Sequence, residues 1–178
     1  EAAAMRYVDS HTRIPVPRVL KSWPLANDNA AIIMEWFNDT HTLEQRWKYI
    51  PNDEKLKVAR QIRSFVDELR TLPQQGAMRG MICSPDGSAC WDERLKSQRC
   101  GPFVDERAFN NFRLSLLDRF LWEPGAREQI ENIRMRLRDN HRVVFTHGDL
   151  GVRNVLVDDC NNIVALIDWE MAGWMPEY

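Results

Sequence analysis

The sequence predicts a mixed α+β fold in which helices come first and a small sheet follows. Amphipathic helical patterns occupy residues 51–72, 105–121 and 126–137. Short runs rich in β-branched residues then follow between residues 143 and 167, where the apolar spacing changes from that of helices to that of strands. Helices and strands that are segregated along the chain are typical of the α+β class.

The composition argues against several classes of protein. The 178 residues are 44% hydrophobic and 28% charged, which is ordinary for a globular chain. A formal net charge of −2 gives no long-range attraction for a polyanion, so we expect no nucleic-acid partner. No apolar run approaches the roughly 20 residues of a membrane-spanning helix, and no secretory signal pattern is present. We therefore expect no membrane partner and a cytoplasmic location, with reduced structural thiols because the cysteines form no CxxC pair.

The first part of the chain predicts a short helix and then a pair of strands. Residues 1–10 begin with good helix formers and place three apolar side chains on one face. Two prolines in residues 14–20 exclude a helix there and require an extended chain. The apolar run 31–34 has the length of a strand, so the two segments predict a hairpin-like pair. The chain turns polar at residues 35–39, which is the predicted domain boundary.

The middle of the chain combines one strong helix with a long irregular segment. Asn52 and Asp53 are both available as the N-cap of the helix in residues 51–72. Apolar side chains at spacings of three and four residues form its predicted buried face: Leu56, Ala59, Ile62, Val66 and Leu69. Glycines and prolines are too frequent in residues 73–104 for regular structure, which predicts a long surface excursion.

The strand-like runs near the C-terminus predict a small sheet. They are Val143–Thr146, Val155–Val157 and Ile163–Ile167. The turn-like residues 158–162 join the last two runs, as in a hairpin.

A catalytic-loop motif lies between the first two of these strands. Residues 147–154 read HGDLGVRN and match the kinase pattern H-x-D-x-x-x-x-N, and Asp168 follows at the end of the third strand. Phosphoryl transfer needs a carboxylate that orients the attacking hydroxyl and accepts its proton, and oxygen ligands that hold magnesium against the phosphates. Asp149 can serve as the first, and Asn154 with Asp168 as the second. Because the hairpin returns these residues to one end of the sheet, we expect their side chains to face one cleft.

Longer blocks around this motif resemble a known superfamily of kinases. FTHGDLGVRNVLVDD and IVALIDWEMAGWMPEY resemble blocks of the aminoglycoside phosphotransferase and choline kinase superfamily. EAAAMRYV and IPVPRVL resemble its N-lobe helix and next strand, and IIMEWFNDTHTLEQRW resembles its hinge. The resemblance covers nearly all of the chain, although the middle third matches only in its helical layout.

The resemblance implies a fold, a domain organisation and an activity. The fold would be protein-kinase-like, with a partial N-lobe of one helix and two strands at residues 1–34 and a hinge at residues 35–39. Residues 40–178 would form a mostly helical C-lobe that contains the catalytic loop 147–154 and a small catalytic β-hairpin. The activity would be transfer of the γ-phosphate of ATP, with Mg²⁺, to a hydroxyl of a small-molecule acceptor.

The resemblance also assigns roles to individual residues. Asp149 would be the catalytic base, while Asn154 and Asp168 would bind Mg²⁺. Backbone groups would contact the adenine of ATP at Met34, Glu35, Trp36 and Phe37. His147 is expected to organise the loop backbone by hydrogen bonding rather than to act as a catalyst.

Two parts of the superfamily pattern would lie outside this sequence. Glu1 would fall where the family carries a glutamate that pairs with a lysine on an earlier strand, so that lysine and the glycine-rich loop would lie upstream. The family also continues with further helices after the WEMAGWMPEY block. The glycine-rich loop and the lysine supply much of the grip on the phosphates in this chemistry, so the sequence alone predicts weak nucleotide binding.

The acceptor stays open at this stage. An aminoglycoside, choline, another amine alcohol and a sugar all fit. Gly151 and Arg153 stand where many relatives carry His-Pro-Gly-like residues, so the substrate contacts of the loop in those relatives cannot be transferred to this sequence. Acidic and aromatic residues could receive a cationic acceptor: Asp92, Glu93, Asp105, Glu106 and Glu170, with Trp169 or Trp174. Solvated charges and core tryptophans are the favoured interpretation for all of them except Glu170. The alternative to an enzyme is a non-catalytic kinase-like binding or scaffold domain, or an incomplete gene product.

Overall fold

The computed structural model describes residues 1–26, 30–96 and 99–178. Its α-helices are α1 (Ala2–His11), α2 (Leu43–Arg46), α3 (Asn52–Leu69), α4 (Glu93–Lys96), α5 (Glu106–Ser115) and α6 (Ala126–Arg136). Its strands are β1 (Val19–Pro24), β2 (Ala30–Met34), β3 (His41–Thr42), β4 (Cys90–Trp91), β5 (Arg99–Cys100), β6 (Val143–Thr146), β7 (Val155–Val157), β8 (Ile163–Leu166) and β9 (Gly173–Pro176). The mixture of helices and strands agrees with the predicted α+β class.

The chain divides into two compact units, each of which uses two separate stretches of sequence. The first unit comprises Glu1–Leu72 and Phe145–Ala172. The second comprises Pro73–Val144 and Gly173–Tyr178. The N-lobe at residues 1–34, the hinge at residues 35–39 and the C-lobe at residues 40–178 stay predictions.

The N-terminal helix of the first unit agrees with the sequence prediction, and a hairpin follows it, but β1 occupies Val19–Pro24 rather than the predicted residues 14–20. α1 buries Ala4, Met5 and Val8 on one face. β1 and β2 pair in antiparallel register from Val19 opposite Met34 to the ends of both strands. The predicted turn between these strands falls in part on residues 27–29, which lie outside the described residues.

The long helix α3 forms as predicted, but its cap and its buried face differ from the prediction. Pro51 occupies the N-cap position and no side chain caps the helix, so the expected Asn52 or Asp53 cap is wrong. Proline is well suited to the start of a helix because its φ is already helical and it has no N–H to satisfy. The buried residues are Val58, Phe65 and Leu69, while the predicted Leu56 is 58% exposed. The buried stripe is therefore rotated around the helix relative to the predicted one.

The sheet that carries the catalytic hairpin has three strands in the order β3-β7-β8, all antiparallel neighbours. The predicted hairpin of β7 and β8 is confirmed, with Val155 opposite Leu166. Asp158 closes its turn, because its Oδ1 accepts hydrogen bonds from the N–H groups of Cys160 and Asn162, both at 2.9 Å. β3 was not predicted, since a two-residue strand has no periodicity to detect. A capping box of Thr42 and Gln45 follows it at the start of α2.

The second unit places part of the predicted surface excursion in its core. Ile82, Cys90 and Cys100 are buried against Phe109 of α5. Cys90 lies opposite Cys100 in the antiparallel register of β4 and β5. The prediction that residues 73–104 form only a surface excursion is therefore wrong. Glycines and prolines exclude long elements, but they do not prevent a two-residue strand from burying its side chains.

The remaining helices and strands of the second unit also differ in extent from the predictions. α5 is capped by Asp105, whose Oδ1 accepts from the Ala108 N–H at 2.8 Å, and it ends at Ser115 rather than at residue 121. α6 forms as predicted. β9 was not predicted and pairs with β6 in a two-stranded sheet. Within the described part of the chain, no helix combines the length and the apolar character that crossing a bilayer requires.

Candidate functional site

The catalytic loop, defined as residues 147–154, connects β6 to β7 within the first unit. It ends in a single turn of 3-10 helix, Val152–Asn154, in which the Asn154 N–H donates to the Gly151 carbonyl at 2.9 Å. This turn carries the backbone directly into β7. The loop is therefore anchored at its C-terminal end by a strand of the small sheet.

His147 is a buried structural residue of this loop. It is 1% exposed and its ring packs on Trp169, with ring centroids 4.4 Å apart. Its Nε2 donates to the Ile167 carbonyl at 3.0 Å, and its Nδ1 accepts from the Asp149 N–H at 3.3 Å. These two contacts require the neutral ring, and burial lowers the pKa of His147 in agreement. The contacts fit the expected organising role.

Asp149 and Asn154 are joined by two hydrogen bonds. The Asn154 Nδ2 donates to the main-chain carbonyl of Asp149 at 2.8 Å and to its carboxylate Oδ2 at 2.9 Å. Asn154 is 4% exposed, so its amide is held in one orientation. Both bonds come from Nδ2, so Oδ1 is the atom of this side chain that could bind a metal ion.

The residue before Asp168, Ile167, is hydrogen-bonded to the catalytic loop. The Ile167 N–H donates to the Asn154 carbonyl at 3.0 Å, while the Ile167 carbonyl accepts from His147. Both polar groups of Ile167 are thus bonded to the catalytic loop, and Asp168 follows immediately. Asp168 adopts a φ of 67°, a left-handed conformation that aspartate tolerates better than most residues. That its carboxylate faces one cleft with Asp149 and Asn154 stays a prediction.

Gly148 allows the loop to pack closely on the segment after Asp168. Its φ is 82°, and a Cβ atom at this position would lie 2.3 Å from the carbonyl oxygen of Met171. The glycine of the HGD motif is therefore required both by its backbone conformation and by the close approach of another backbone.

Arg153 forms an ion pair with the predicted catalytic base. Its Nη2 donates to both carboxylate oxygens of Asp149, at 2.8 Å to Oδ1 and 2.6 Å to Oδ2. The Arg153 side chain is 60% exposed and that of Asp149 is 28% exposed. The sequence identified Arg153 only as a departure from the usual loop, and nothing in its position indicated this contact. A spacing of four residues across a 3-10 turn is the signal that could have done so.

The donor set of Asn154 and Asp168 fits a magnesium ion bound together with a nucleotide. Amide and carboxylate oxygens are hard ligands, and Mg²⁺ usually takes only one or two protein ligands when phosphates and water complete its shell. Asn154 offers Oδ1 from a fixed amide, as described above. Among the described residues, no group of three or more His, Cys, Asp or Glu side chains could hold a metal ion. Metal binding at this loop would therefore depend on oxygens that a nucleotide supplies.

The predicted adenine segment, residues 34–37, is joined to Arg18 by one backbone bond and one side-chain bond of Glu35. The Glu35 N–H donates to the Arg18 carbonyl at 2.9 Å, and the Arg18 N–H donates to the Glu35 carboxylate at 3.2 Å. Met34 ends β2, and the Trp36 side chain is 83% exposed. Phe37 is half-buried.

Glu1 lies close to Asp168. Partial desolvation of its carboxyl raises the pKa of Glu1, and the charge of Asp168 raises it further. The hydrogen bond with the Trp169 backbone acts in the opposite direction. The N-terminus of α1 is thus beside the segment that carries Asp168.

Most residues considered for a cationic acceptor have structural roles. Trp169 is fully buried and its Nε1 donates to the Leu166 carbonyl at 2.8 Å. Asp92 is buried and accepts two hydrogen bonds from the Arg94 guanidinium. Glu106 is 4% exposed and accepts from both the backbone and the ring of a histidine. Asp105 caps α5, and Trp174 is 1% exposed.

Comparison with known proteins assigns the chain to a family. The sequence matches the family described as "APH: Phosphotransferase enzyme family" over residues 1–178. The chain belongs to this phosphotransferase family. Membership of the aminoglycoside phosphotransferase and choline kinase superfamily was expected from the HGD and IDWE blocks, and the family match confirms that superfamily. No curated protein matches the sequence.

A solved structure of the same family has the same fold. It is the apo form of a thermostable mutant of the aminoglycoside phosphotransferase APH(4)-Ia, with a TM-score of 0.63 and 18% sequence identity. The match covers 97% of this chain, and the chain spans 56% of the length of that protein. At this identity the likeness concerns the fold alone, which is the predicted protein-kinase-like α+β fold.

Proposed function

We propose that this chain contains the catalytic loop and metal ligands of an ATP-dependent kinase that phosphorylates a hydroxyl group of a small molecule. The observation that carries the proposal is the pair of hydrogen bonds from Asn154 to Asp149. They fix the residue that would act on the acceptor relative to a residue that would bind the metal. Fixed positions of this kind supply most of the catalysis in phosphoryl transfer.

In the proposed reaction the acceptor hydroxyl donates a hydrogen bond to the carboxylate of Asp149. The hydroxyl oxygen forms a bond to the γ-phosphorus of ATP while the bond from that phosphorus to the β–γ bridging oxygen breaks. ADP leaves with the electron pair of the broken bond, and the hydroxyl proton passes to Asp149 and then to solvent. Mg²⁺, held by Asn154 Oδ1 and the Asp168 carboxylate, would neutralise charge on the phosphate oxygens.

Adenine would be bound by backbone groups of the predicted adenine segment. Because the Glu35 N–H is already bonded to Arg18, the contacts would come from the other backbone groups of residues 34–37. We assign the protein to the cytoplasm, where ATP and magnesium are supplied.

The test is ADP release by the full-length gene product with ATP, Mg²⁺ and a panel of alcohols. Asp149→Asn is expected to lower turnover by about 10²- to 10⁴-fold with little change in nucleotide affinity, because the carboxylate acts on the acceptor in the transition state. Asp9→Asn, at an exposed position of α1, is the matched control and should keep full activity. Equal rates for wild type and Asp149→Asn would contradict the proposal and favour the scaffold alternative.

Asp168→Asn separates the metal role from the acceptor role. Asparagine tolerates the left-handed backbone at this position, so the variant removes charge with little added strain. Nucleotide affinity and turnover should both fall, and excess Mg²⁺ should recover part of the loss. A fall in turnover at unchanged Mg²⁺ dependence would contradict the assignment of Asp168 as a metal ligand.

A further inference from the structure

The carboxylate of Asp149 is in direct contact with the side chain of Arg153. The turn Val152–Asn154 places Arg153 four residues after Asp149, where its Nη2 donates to both carboxylate oxygens. The guanidinium is more exposed than the carboxylate, at 60% against 28%. A positive charge, more exposed than its partner, therefore lies in direct contact with the group that would receive the acceptor hydroxyl.

We propose that Arg153 selects the acceptor by favouring an oxyanion group, and disfavouring an ammonium group, next to the reacting hydroxyl. This inference rests on the proposed kinase function and specifies its substrate class. An ammonium beside the hydroxyl meets a like charge as it approaches Asp149, whereas a carboxylate or phosphate meets an opposite one. Both hydrogen bonds to Asp149 come from Nη2, and Nε and Nη1 of the same planar guanidinium are further donors.

Most of the side chains considered for a cationic acceptor already have partners within the protein. Recognition of an ammonium group usually needs an exposed aromatic face or an unpaired carboxylate. Trp169 and Trp174 are buried, while Asp92 and Glu106 are buried and already hydrogen-bonded. Glu93 and Glu170 are exposed, so the proposed selection rests on Arg153 and not on an absence of acidic groups.

The experiment compares acceptors that share a carbon frame and differ in charge. The two series are 2-aminoethanol, ethylene glycol and glycolate, and glucosamine, glucose and glucuronate. ADP release by the full-length gene product with ATP and Mg²⁺ gives kcat/KM for each. In the series that the wild-type protein phosphorylates, the carboxylate member should exceed the ammonium member by about tenfold.

Arg153→Gln tests whether Arg153 causes the preference. Glutamine keeps a donor of similar reach toward Asp149 but carries no charge, so the preference should fall to about threefold or less. The change should be larger in KM than in kcat for the charged acceptors, and kcat/KM of the neutral member serves as the reference against which the charge preference is calculated. Arg60→Gln, which removes an exposed arginine from α3, is the control and should leave the ratio unchanged.

Two results would overturn the inference alone. One is a wild-type preference for the ammonium member, and the other is an equal loss of kcat/KM for all three members in Arg153→Gln. The second result would show that Arg153 only supports the loop. The absence of ADP release from both series, together with equal behaviour of wild type and Asp149→Asn, would instead overturn the proposed function itself.

Discussion

The catalytic loop, residues 147–154, and the predicted adenine segment, residues 34–37, are held in place by different kinds of contact. The loop is held by side chains, since His147, Asn154 and Arg153 all hydrogen-bond to neighbouring groups. The adenine segment is joined to Arg18 through one backbone bond and through the exposed Glu35 carboxylate, which accepts from the Arg18 N–H, and the Trp36 side chain is largely exposed to solvent. Substitutions should therefore have large effects in the loop and small effects in the segment.

The largest expected effect is that of Gly148→Ala on stability. The added Cβ would lie 2.3 Å from the Met171 carbonyl oxygen in a backbone of positive φ, so the free energy of unfolding should fall by about 3 kcal/mol or more. Gly151→Ala in the same loop is the control, because its φ is −107° and its Cβ would contact only the flexible Arg153 side chain. Chemical denaturation followed by circular dichroism measures both. Similar losses in the two variants would show that the close approach at Gly148 is unimportant.

A smaller effect is expected from the titration of His147. Burial lowers the pKa of this histidine in the folded protein, so the unfolded chain takes up a proton first as the pH falls below about 6.5. The stability that the neutral ring contributes is present above pH 6.5 and is lost below it, by up to about 1.4 kcal/mol per pH unit. His147→Gln, which does not titrate, should show a flatter decline between pH 6.5 and pH 5 in urea denaturation. Identical slopes in the two proteins would contradict the assignment.

The smallest effect is expected from Trp36→Ala in the adenine segment. The side chain is 83% exposed, so its removal should change the free energy of unfolding by less than about 0.5 kcal/mol. If adenine is bound through backbone groups, calorimetry should also give an unchanged nucleotide affinity. A clear loss of affinity would show that the indole itself contacts the nucleotide, and the contrast between the two regions would then be smaller than stated.

The same contrast explains how much of the site could be predicted from the sequence. The proposed phosphoryl transfer needs a carboxylate, an amide and a glycine at fixed spacings. Gly148, Asp149 and Asn154 can therefore be recognised in the sequence as a motif. The contact of Arg153 with Asp149 joins residues four apart across a 3-10 turn, so its spacing indicates a contact only when that turn is known. Binding through backbone groups does not require particular side chains, so it produces no sequence motif. Adenine binding by residues 34–37 could therefore be proposed only from the resemblance to the superfamily.

The fold was predictable where periodicity extends over several residues. α1, β2 and the β7–β8 hairpin agree with their apolar patterns, whereas β1 overlaps its predicted segment 14–20 only at Val19 and Leu20. The strands β3, β4 and β5 have two residues each, which is too short for a period to be seen. α3 was found, but its buried face was misplaced because several of its apolar residues are exposed and burial depends on tertiary contacts.

The division of the first unit into two stretches has a consequence for folding during synthesis. β3 is made early, but its partner β7 emerges from the ribosome only after the intervening residues 73–144 have been translated. At roughly 5–20 residues per second these 72 residues take about 4–14 s. During that interval β7, the central strand of the sheet, has not been synthesised. The first unit, which includes α1, therefore lacks residues 145–172. Nascent chains of this protein should therefore be clients of ribosome-associated chaperones until residue 172 has emerged.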